Sequence, residues 1–251
     1  MKKIKRKLPL VIVVVFVLAI FWARTQYYPP IIMYHSISNG EKGLLSVSET
    51  SFRRQMDFIK RHHYKVLSLT ELCAYLKNGK MPRRSVVITS DDGYKDNVKM
   101  GRILSEYNFP ATIFIITGKI GNDGFMNEKD LVFLDSNTPV DIGAHTENHA
   151  YLPECESPDY EIRQSKRRLE SVLGHRISAF SYPEGRYTRD IQSLVKKAGF
   201  DVAVTTNRGY SKSVDCYALR RIKIKDSDKG IVLWAKLSGY YDLFRKLKDP
   251  G

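Results

Sequence analysis

The sequence predicts an α/β protein, a distorted parallel β/α barrel of seven to eight strands with a hydrophobic helix at its N-terminus. Three observations predict it. Short apolar runs rich in Val, Ile and Phe recur between residues 31 and 225, as strands covered on both faces require. Helical patterns stand between most of them, and about eight βα units make a closed or nearly closed parallel barrel. The length of 251 residues suits one such domain, and no repeat or low-complexity stretch divides it.

Residues 1–24 stand apart from the fold. Lys2, Lys3, Lys5, Arg6 and Lys7 precede an apolar run over residues 8–23. Basic residues before such a run keep the N-terminus in the cytoplasm. The run holds 16 residues, between a signal-peptide core and a full span of about 20. A cleaved signal wants small residues before the cut, and Phe21-Trp22-Ala23 supplies one. Trp22 suits a membrane interface, so the reading favours an uncleaved membrane anchor over a signal peptide. A buried core helix does not fit, because the segment has no polar face. Either membrane reading places the rest of the chain outside the cytoplasm, anchored or secreted.

Residues 25–30 read as an extended linker through Pro29-Pro30, and 31–251 as the catalytic domain. Strands are expected at 31–36, 64–69, 85–89, 111–117, 140–144, 177–182, 201–205 and 219–225. Helices are expected at 52–63, from a Thr70 cap to Gly79, from about 94 to 107, from Pro158 to Gly174, from Thr188 to Gly199, and near 230–247. The basic run Lys166-Arg167-Arg168 reads as a solvated helix face.

The chain carries a net charge of +14, and residues 25–251 keep 35 basic against 27 acidic residues. A basic exported domain is drawn to anionic lipid or wall polymers, though a solvated basic surface explains the charge equally well. No nucleic-acid-binding signature accompanies it, so no nucleic-acid partner is expected. Three cysteines, widely spaced, are no disulfide framework. Cys73 lies on an apolar helical stripe. Cys155 and Cys216 can pair in an oxidising compartment, with free thiols the expected state.

In such barrels chemistry sits at the carboxyl ends of strands. The strand at 85–89 runs into Ser90-Asp91-Asp92-Gly93-Tyr94. Two adjacent carboxylates after a buried strand need a partner, and a metal ion is one; a helix cap with a turn glycine is the plain alternative. The strand at 140–144 runs into His145-Thr146-Glu147-Asn148-His149. Histidines at i and i+4 share a face if the segment is helical. Either motif alone is weak. Together, one Asp and two His make a facial set of O and N ligands with open positions, and the second Asp is left as a base. A third rim segment, Phe180-Ser181-Tyr182-Pro183-Glu184-Gly185, is a loop whose backbone amides can face the site.

These stretches, in this order and with Met33-Tyr34-His35 before and Leu219-Arg220-Arg221-Ile222 after, resemble the polysaccharide deacetylase family, carbohydrate esterase family 4. The resemblance covers residues 31 to about 225 and leans toward the branch with poly-N-acetylglucosamine deacetylases. It implies that Asp92, His145 and His149 bind a divalent metal, usually zinc, that Asp91 is the catalytic base, and that the Tyr182 backbone helps hold the oxyanion. His35, Tyr94, Pro183 and Arg221 are expected to touch substrate or support the site, Arg221 by pairing with Asp91; a surface ion pair is the plainer role for it. The chain departs from the pattern in two places. Ser90 stands where an aromatic is usual, and no histidine follows His175, whereas many members carry a late histidine as general acid. The expected function is N-deacetylation of an N-acetylglucosamine-containing polysaccharide. The alternatives are an O-acetyl esterase of the same fold and a non-catalytic carbohydrate-binding protein.

Overall fold

A computed structural model describes residues 2–38, 45–79, 81–209 and 215–246, with the side chains of 2–11 left aside. After the N-terminal helix α1 (Lys2–Thr25) come β1 (Ile31–Tyr34), the short β2 (Ser36–Ile37) and β3 (Ser46–Val47), α2 (Glu49–Arg61), β4 (Lys65–Val66), α3 (Leu69–Asn78) and β5 (Ser85–Ser90). The chain continues through α4 (Asn97–Tyr107), β6 (Ala111–Ile115), α5 (Glu128–Asn137), β7 (Val140–Ala144), α6 (Pro158–Leu173), β8 (Ala179–Ser181), α7 (Arg189–Lys197), β9 (Val202–Thr205), β10 (Leu219–Lys223) and α8 (Gly230–Leu237).

Among the described residues, the strands β1, β5, β6, β7, β8, β9 and β10 form a closed parallel ring. Closure is direct: β1 pairs with β10 through Ile31↔Arg221 and with β5 through Ile31↔Val87. The eighth strand, β4, pairs with the first residues of β5, Lys65↔Ser85 and Val66↔Val86. All eight strands expected from the sequence are present. The β2–β3 pair was not expected.

Strand alternation divides the core in two. Ile31, Val87, Phe114, Ala179, Val204 and Leu219 cluster together with Leu69, Leu72 and Cys73 of α3. The alternate positions Ile32, Ile88, Ile113, Ile142 and Phe180 join a larger cluster with Phe52, Met56 and Ile59 of α2, Leu134 of α5 and Leu169 of α6. All of these side chains are buried, and each full burial contributes roughly 1.5–3 kcal/mol for a Leu, Ile, Met or Phe.

Several expectations need correction. The cap of α3 is Ser68, whose side chain accepts from Glu71 N while Glu71 reaches back to its amide, so the helix begins one residue before Thr70. Helix α5 was not foreseen: it is short, only Leu131 and Leu134 are buried on it, and its start depends on an Asn127–Asp130 capping box. Helix α8 ends at Leu237, where Gly239 at φ 80° turns the chain, and Phe244 is 90% exposed rather than part of a stripe; Leu247 lies outside the described residues. Lys166 is buried, with its ammonium on the carbonyls of Ile177 and Gly199, so it is no solvated residue. Cys73 and Cys216 form a disulfide across 143 residues, and Cys155 is the free thiol. The two partners are distant in sequence, and only closure of the barrel brings their Cα atoms to 5.9 Å.

The N-terminal segment is one helix whose large side chains from Ile12 to Phe21 are exposed, as is Trp22. Among the described residues, no helix is long and apolar enough to cross a membrane. The 16-residue apolar run accounts for about 24 Å of helix against a hydrocarbon core of about 30 Å. A membrane-spanning helix is therefore not supported.

Candidate active site and metal centre

The site lies at the carboxyl ends of β1, β5, β7, β8 and β10. Strand β5 is buried throughout, and its last residues carry the chain to Asp91 and Asp92, 2% and 8% exposed. Asp91 N donates to Tyr34 O of β1 at 3.1 Å, which keeps the end of β5 in the ring. Asp92 and Gly93 then both take φ 75°. A non-glycine residue pays about 1–3 kcal/mol for this conformation, and the turn presents the Asp92 carboxylate to the rim.

Arg221 of β10 points across the ring to Asp91. Nη1 donates to Oδ1 at 2.6 Å and Nη2 to Oδ2 at 2.7 Å, a two-pronged pair with both side chains buried. Nη2 also donates to Ser181 Oγ at 2.9 Å, and the guanidinium lies over the Phe114 ring. A surface ion pair is thus excluded for Arg221. Burial by itself would raise the Asp91 carboxyl; the charge of Arg221 and its two hydrogen bonds overcome it and hold Asp91 well below the usual carboxylate range.

His145 follows β7 and is 2% exposed. Its Nδ1 is 2.7 Å from Ser181 O. A carbonyl only accepts, so Nδ1 carries the proton and Nε2 is left with its lone pair. Burial lowers its pKa, against the pull of Asp91 and Asp92, which favours the neutral ligand form. His145 Nε2 and His149 Nε2 stand 3.7 and 3.8 Å from Asp92 Oδ1. The condition of a helical segment between the histidines is not met: Thr146 and His149 take φ 61° and 59°. A tight left-handed loop, not an i, i+4 face, brings the rings to 4.9 Å between centroids.

The geometry of these three side chains fits a metal. Their ligand atoms all lie within 4.8 Å of one another. Two donors each about 2.1 Å from one ion at the tetrahedral angle stand about 3.4 Å apart, close to the spacings found. These spacings are too wide for hydrogen bonds.

The remaining expected residues divide. The His35 carbonyl accepts from Ser90 Oγ at 2.9 Å and Asn97 Nδ2 at 2.7 Å. Its Nδ1 is buried without a hydrogen-bond partner among the described residues. Burial lowers the His35 pKa, partly offset by Asp91 and Asp92, so its ring sits in the field of both carboxylates. Tyr94 stacks on Phe125 at 5.2 Å, and burial with the negative charge of Asp92 pushes its pKa up to about 12. Pro183 is buried in a single turn that ends at Gly185, where a Cβ would collide with Thr206. Tyr182 does not meet its expected role. Its backbone N–H donates to Val204 O at 3.1 Å within the sheet, and its hydroxyl donates to Tyr217 O. Because Pro183 has no N–H and Gly185 N donates to Tyr182 O, the next loop amide along is that of Glu184, at φ 54°.

Sequence reasoning missed Ser181, whose carbonyl orients His145 while its hydroxyl supports Arg221. It also missed Thr117, Gly118 and Glu161, which hold the histidine loop. Only the tertiary contacts identify them, apart from the place of Ser181 in the rim loop. A cleft of about 830 Å³ opens beside Tyr94, lined among others by Ser36, Ser46, Asp96, Lys99 and Arg102.

Comparison with known proteins agrees with this geometry. The family model described as polysaccharide deacetylase matches residues 78–203, which include both metal-site motifs. A protein of Bacillus subtilis (strain 168) whose name assigns it to the polysaccharide deacetylases is 31% identical over 216 residues, 83% of this chain and 76% of that one. A poly-beta-1,6-N-acetyl-D-glucosamine N-deacetylase of Staphylococcus epidermidis is 29% identical over 230 residues, 83% of this chain and 79% of that protein. Among solved structures, a Streptococcus pyogenes deacetylase in complex with acetate superposes with a TM-score of 0.77 at 27% identity, covering 84% of this chain and 99% of that one. The structure of IcaB from Ammonifex degensii shares the fold, with a TM-score of 0.74 at 20% identity over 82% of this chain and 96% of that one. The ring of seven strands, the motifs at its rim and these matches together establish that the chain belongs to the polysaccharide deacetylase family.

Proposed function

We propose that the protein is a metal-dependent deacetylase that removes N-acetyl groups from an N-acetylglucosamine-containing polysaccharide outside the cytoplasm. The observation that carries the reading is the pairing of two unlike aspartates. Asp92 converges with His145 and His149 on a ligand set, while Asp91 beside it is held ionised by Arg221. A cap or a binding module needs neither arrangement.

Asp92, His145 and His149 would hold the divalent ion, and nitrogen and carboxylate donors suit zinc. Such an ion, when bound, acidifies water and polarises the acetyl carbonyl. Asp91 accepts the proton of the attacking water. A carboxyl held below its usual range is a weak base but a strong acid once protonated, so Asp91 also suits return of that proton to the leaving amine. This accounts for a chain with no histidine after His175. The Glu184 amide, in place of Tyr182, is the loop donor for the developing oxyanion. Tyr94 borders the cleft, whose serines and charged side chains offer hydrogen bonds to sugar hydroxyls.

The substrate reading draws on the relative from Staphylococcus epidermidis. The location draws on two features: the exposed apolar helix α1, which suits attachment to a membrane or passage through an export route, and the Cys73–Cys216 disulfide, which suits an oxidising compartment. Membrane fractionation of the full-length protein tests attachment; a chain found wholly soluble after export makes it a secreted protein.

The decisive assay is acetate release by the zinc-loaded protein from a panel of N-acetylglucosamine oligomers and acetylated xylan. Release from the oligomers is expected. Release from xylan alone moves the reading to an O-acetyl esterase, and release from neither, with glycan still bound, makes the protein a binding module.

A further inference from the structure

The ligand His149 sits in an unfavourable backbone conformation. Thr146 and His149 both take left-handed φ, at 61° and 59°, and for a β-branched residue such as Thr146 this is a marked departure. Conformations of this kind cost about 1–3 kcal/mol each and persist only where surrounding structure imposes them. The loop from 145 to 149 has no regular secondary structure to impose it, so the constraint comes from outside.

It comes from two sides. On one, the turn after β6 grips the loop backbone. Thr117 N donates to Thr146 O at 3.1 Å and Gly118 N to Glu147 O at 2.7 Å. The Thr117 hydroxyl also donates to the Glu147 carboxylate. On the other side stands Glu161, in the first turn of α6 and 7% exposed. Its Oε2 accepts from Asn148 N at 2.8 Å and its Oε1 from Asn148 Nδ2 at 2.7 Å. Its own carbonyl accepts from Glu147 N at 3.2 Å. Both carboxylate oxygens thus bond the residue that precedes the ligand.

Glu161 is otherwise unexplained. A buried carboxylate is costly without a partner, and no ion pair of Glu161 occurs among the described residues. It is not one of the three metal-site side chains. Its place in the first turn of a 16-residue helix supports its charge through the helix dipole, and two N–H donors from Asn148 complete it. The energetic sense of the arrangement is that a fixed anion orders the loop before any ion arrives.

We infer that Glu161 is a positioning residue, which holds Asn148 so that His149 is preset for metal binding. The inference rests on the reading of Asp92, His145 and His149 as ligands. Outer residues that orient ligands are typically worth 10–100-fold in metal affinity. Glu161→Gln keeps size but presents one acceptor and one donor to two N–H groups, so one contact becomes repulsive. Asn148→Ala loosens the same clamp from the solvent side, where misfolding is not a concern.

The test is zinc affinity of the full-length protein, measured by competition with a chromophoric chelator, with no substrate present. Glu161→Gln is expected to bind zinc about 10–100-fold more weakly, Asn148→Ala less so, with kcat at saturating zinc within a few-fold of wild type for both. Wild-type zinc affinity in both variants overturns the role of Glu161 while leaving the metal site standing. Equal loss of kcat at saturating zinc with unchanged affinity also overturns it, in favour of a role in the chemistry. A wild-type protein that holds no zinc overturns the ligand assignment and the inference together.

Discussion

Replacing Arg221 by Met tests whether the barrel interior controls the chemistry at its rim. The substitution keeps an apolar stem of similar length and deletes the two hydrogen bonds, 2.6 and 2.7 Å, that hold Asp91. Both partners are buried, so Asp91 becomes an uncompensated interior charge, a loss of about 3–5 kcal/mol. For a chain of this size that is a fall in Tm of about 6–20 °C. The pH dependence changes sign. In the wild type, Asp91 is depressed in the folded state, so its contribution is complete above its unfolded pKa of about 3.9 and is lost as pH falls below it. In Arg221→Met burial is no longer countered, the folded pKa rises above 3.9, and stability is lost as pH rises through it. The gap to wild type should therefore be smallest at the acid end of the range and widen as pH rises, to about 3–5 kcal/mol near pH 8 in denaturant melts. The acid limb of kcat/KM, measured on zinc-loaded protein, should move to higher pH. An unmoved acid limb, together with a loss under about 1 kcal/mol at pH 8, would refute the claim that Arg221 sets the state of Asp91.

Four further outcomes are expected. Asp91→Asn should keep zinc and lose turnover by about 100-fold or more, whereas Asp92→Asn should lose zinc first, as bound-metal analysis beside acetate release would show; near wild-type turnover in Asp91→Asn places the base elsewhere, with His35 next. Gly118→Ala puts a Cβ 2.7 Å from Glu147 O and 2.9 Å from Asn148 Oδ1, so it should weaken zinc binding with little change in the metal-free melting temperature; unaltered zinc affinity would show that the loop yields freely. Thiol titration of the unfolded, unreduced protein purified from an oxidising compartment should find Cys155 alone reactive, rising to all three cysteines on reduction. Cys73→Ser should lower stability by up to roughly 5 kcal/mol, the chain-entropy ceiling for a loop of 143 residues; three reactive thiols before reduction would refute the pairing.

What the sequence by itself determined is what local chemistry determines. The eight strands were legible because strands covered on both faces must be apolar throughout, and 85–90 and 111–115 are buried at every position. The convergence of Asp92, His145 and His149 followed from the same fact, since parallel strands deliver their carboxyl ends to one rim. Helix α5 was not legible, because two buried leucines make too short a stripe to register.

The rest depended on tertiary structure, for reasons of range. That Arg221 crosses the interior and does not lie on the surface is a matter of side-chain direction in a closed ring, fixed by the pairing of β10 with β1. That Cys73 pairs with Cys216 depends on two Cα atoms meeting after 143 residues. Whether the Tyr182 amide is available depends on its neighbour across the sheet, Val204, and not on its own motif. The left-handed loop of His149 is imposed by Glu161 and the Thr117–Gly118 turn, which no spacing within His145–His149 encodes. The sequence names the groups that can do the chemistry, because reactivity belongs to residue type. Only the fold assigns their partners, because hydrogen bonds, charge and desolvation act over a few ångströms between residues that the chain keeps far apart.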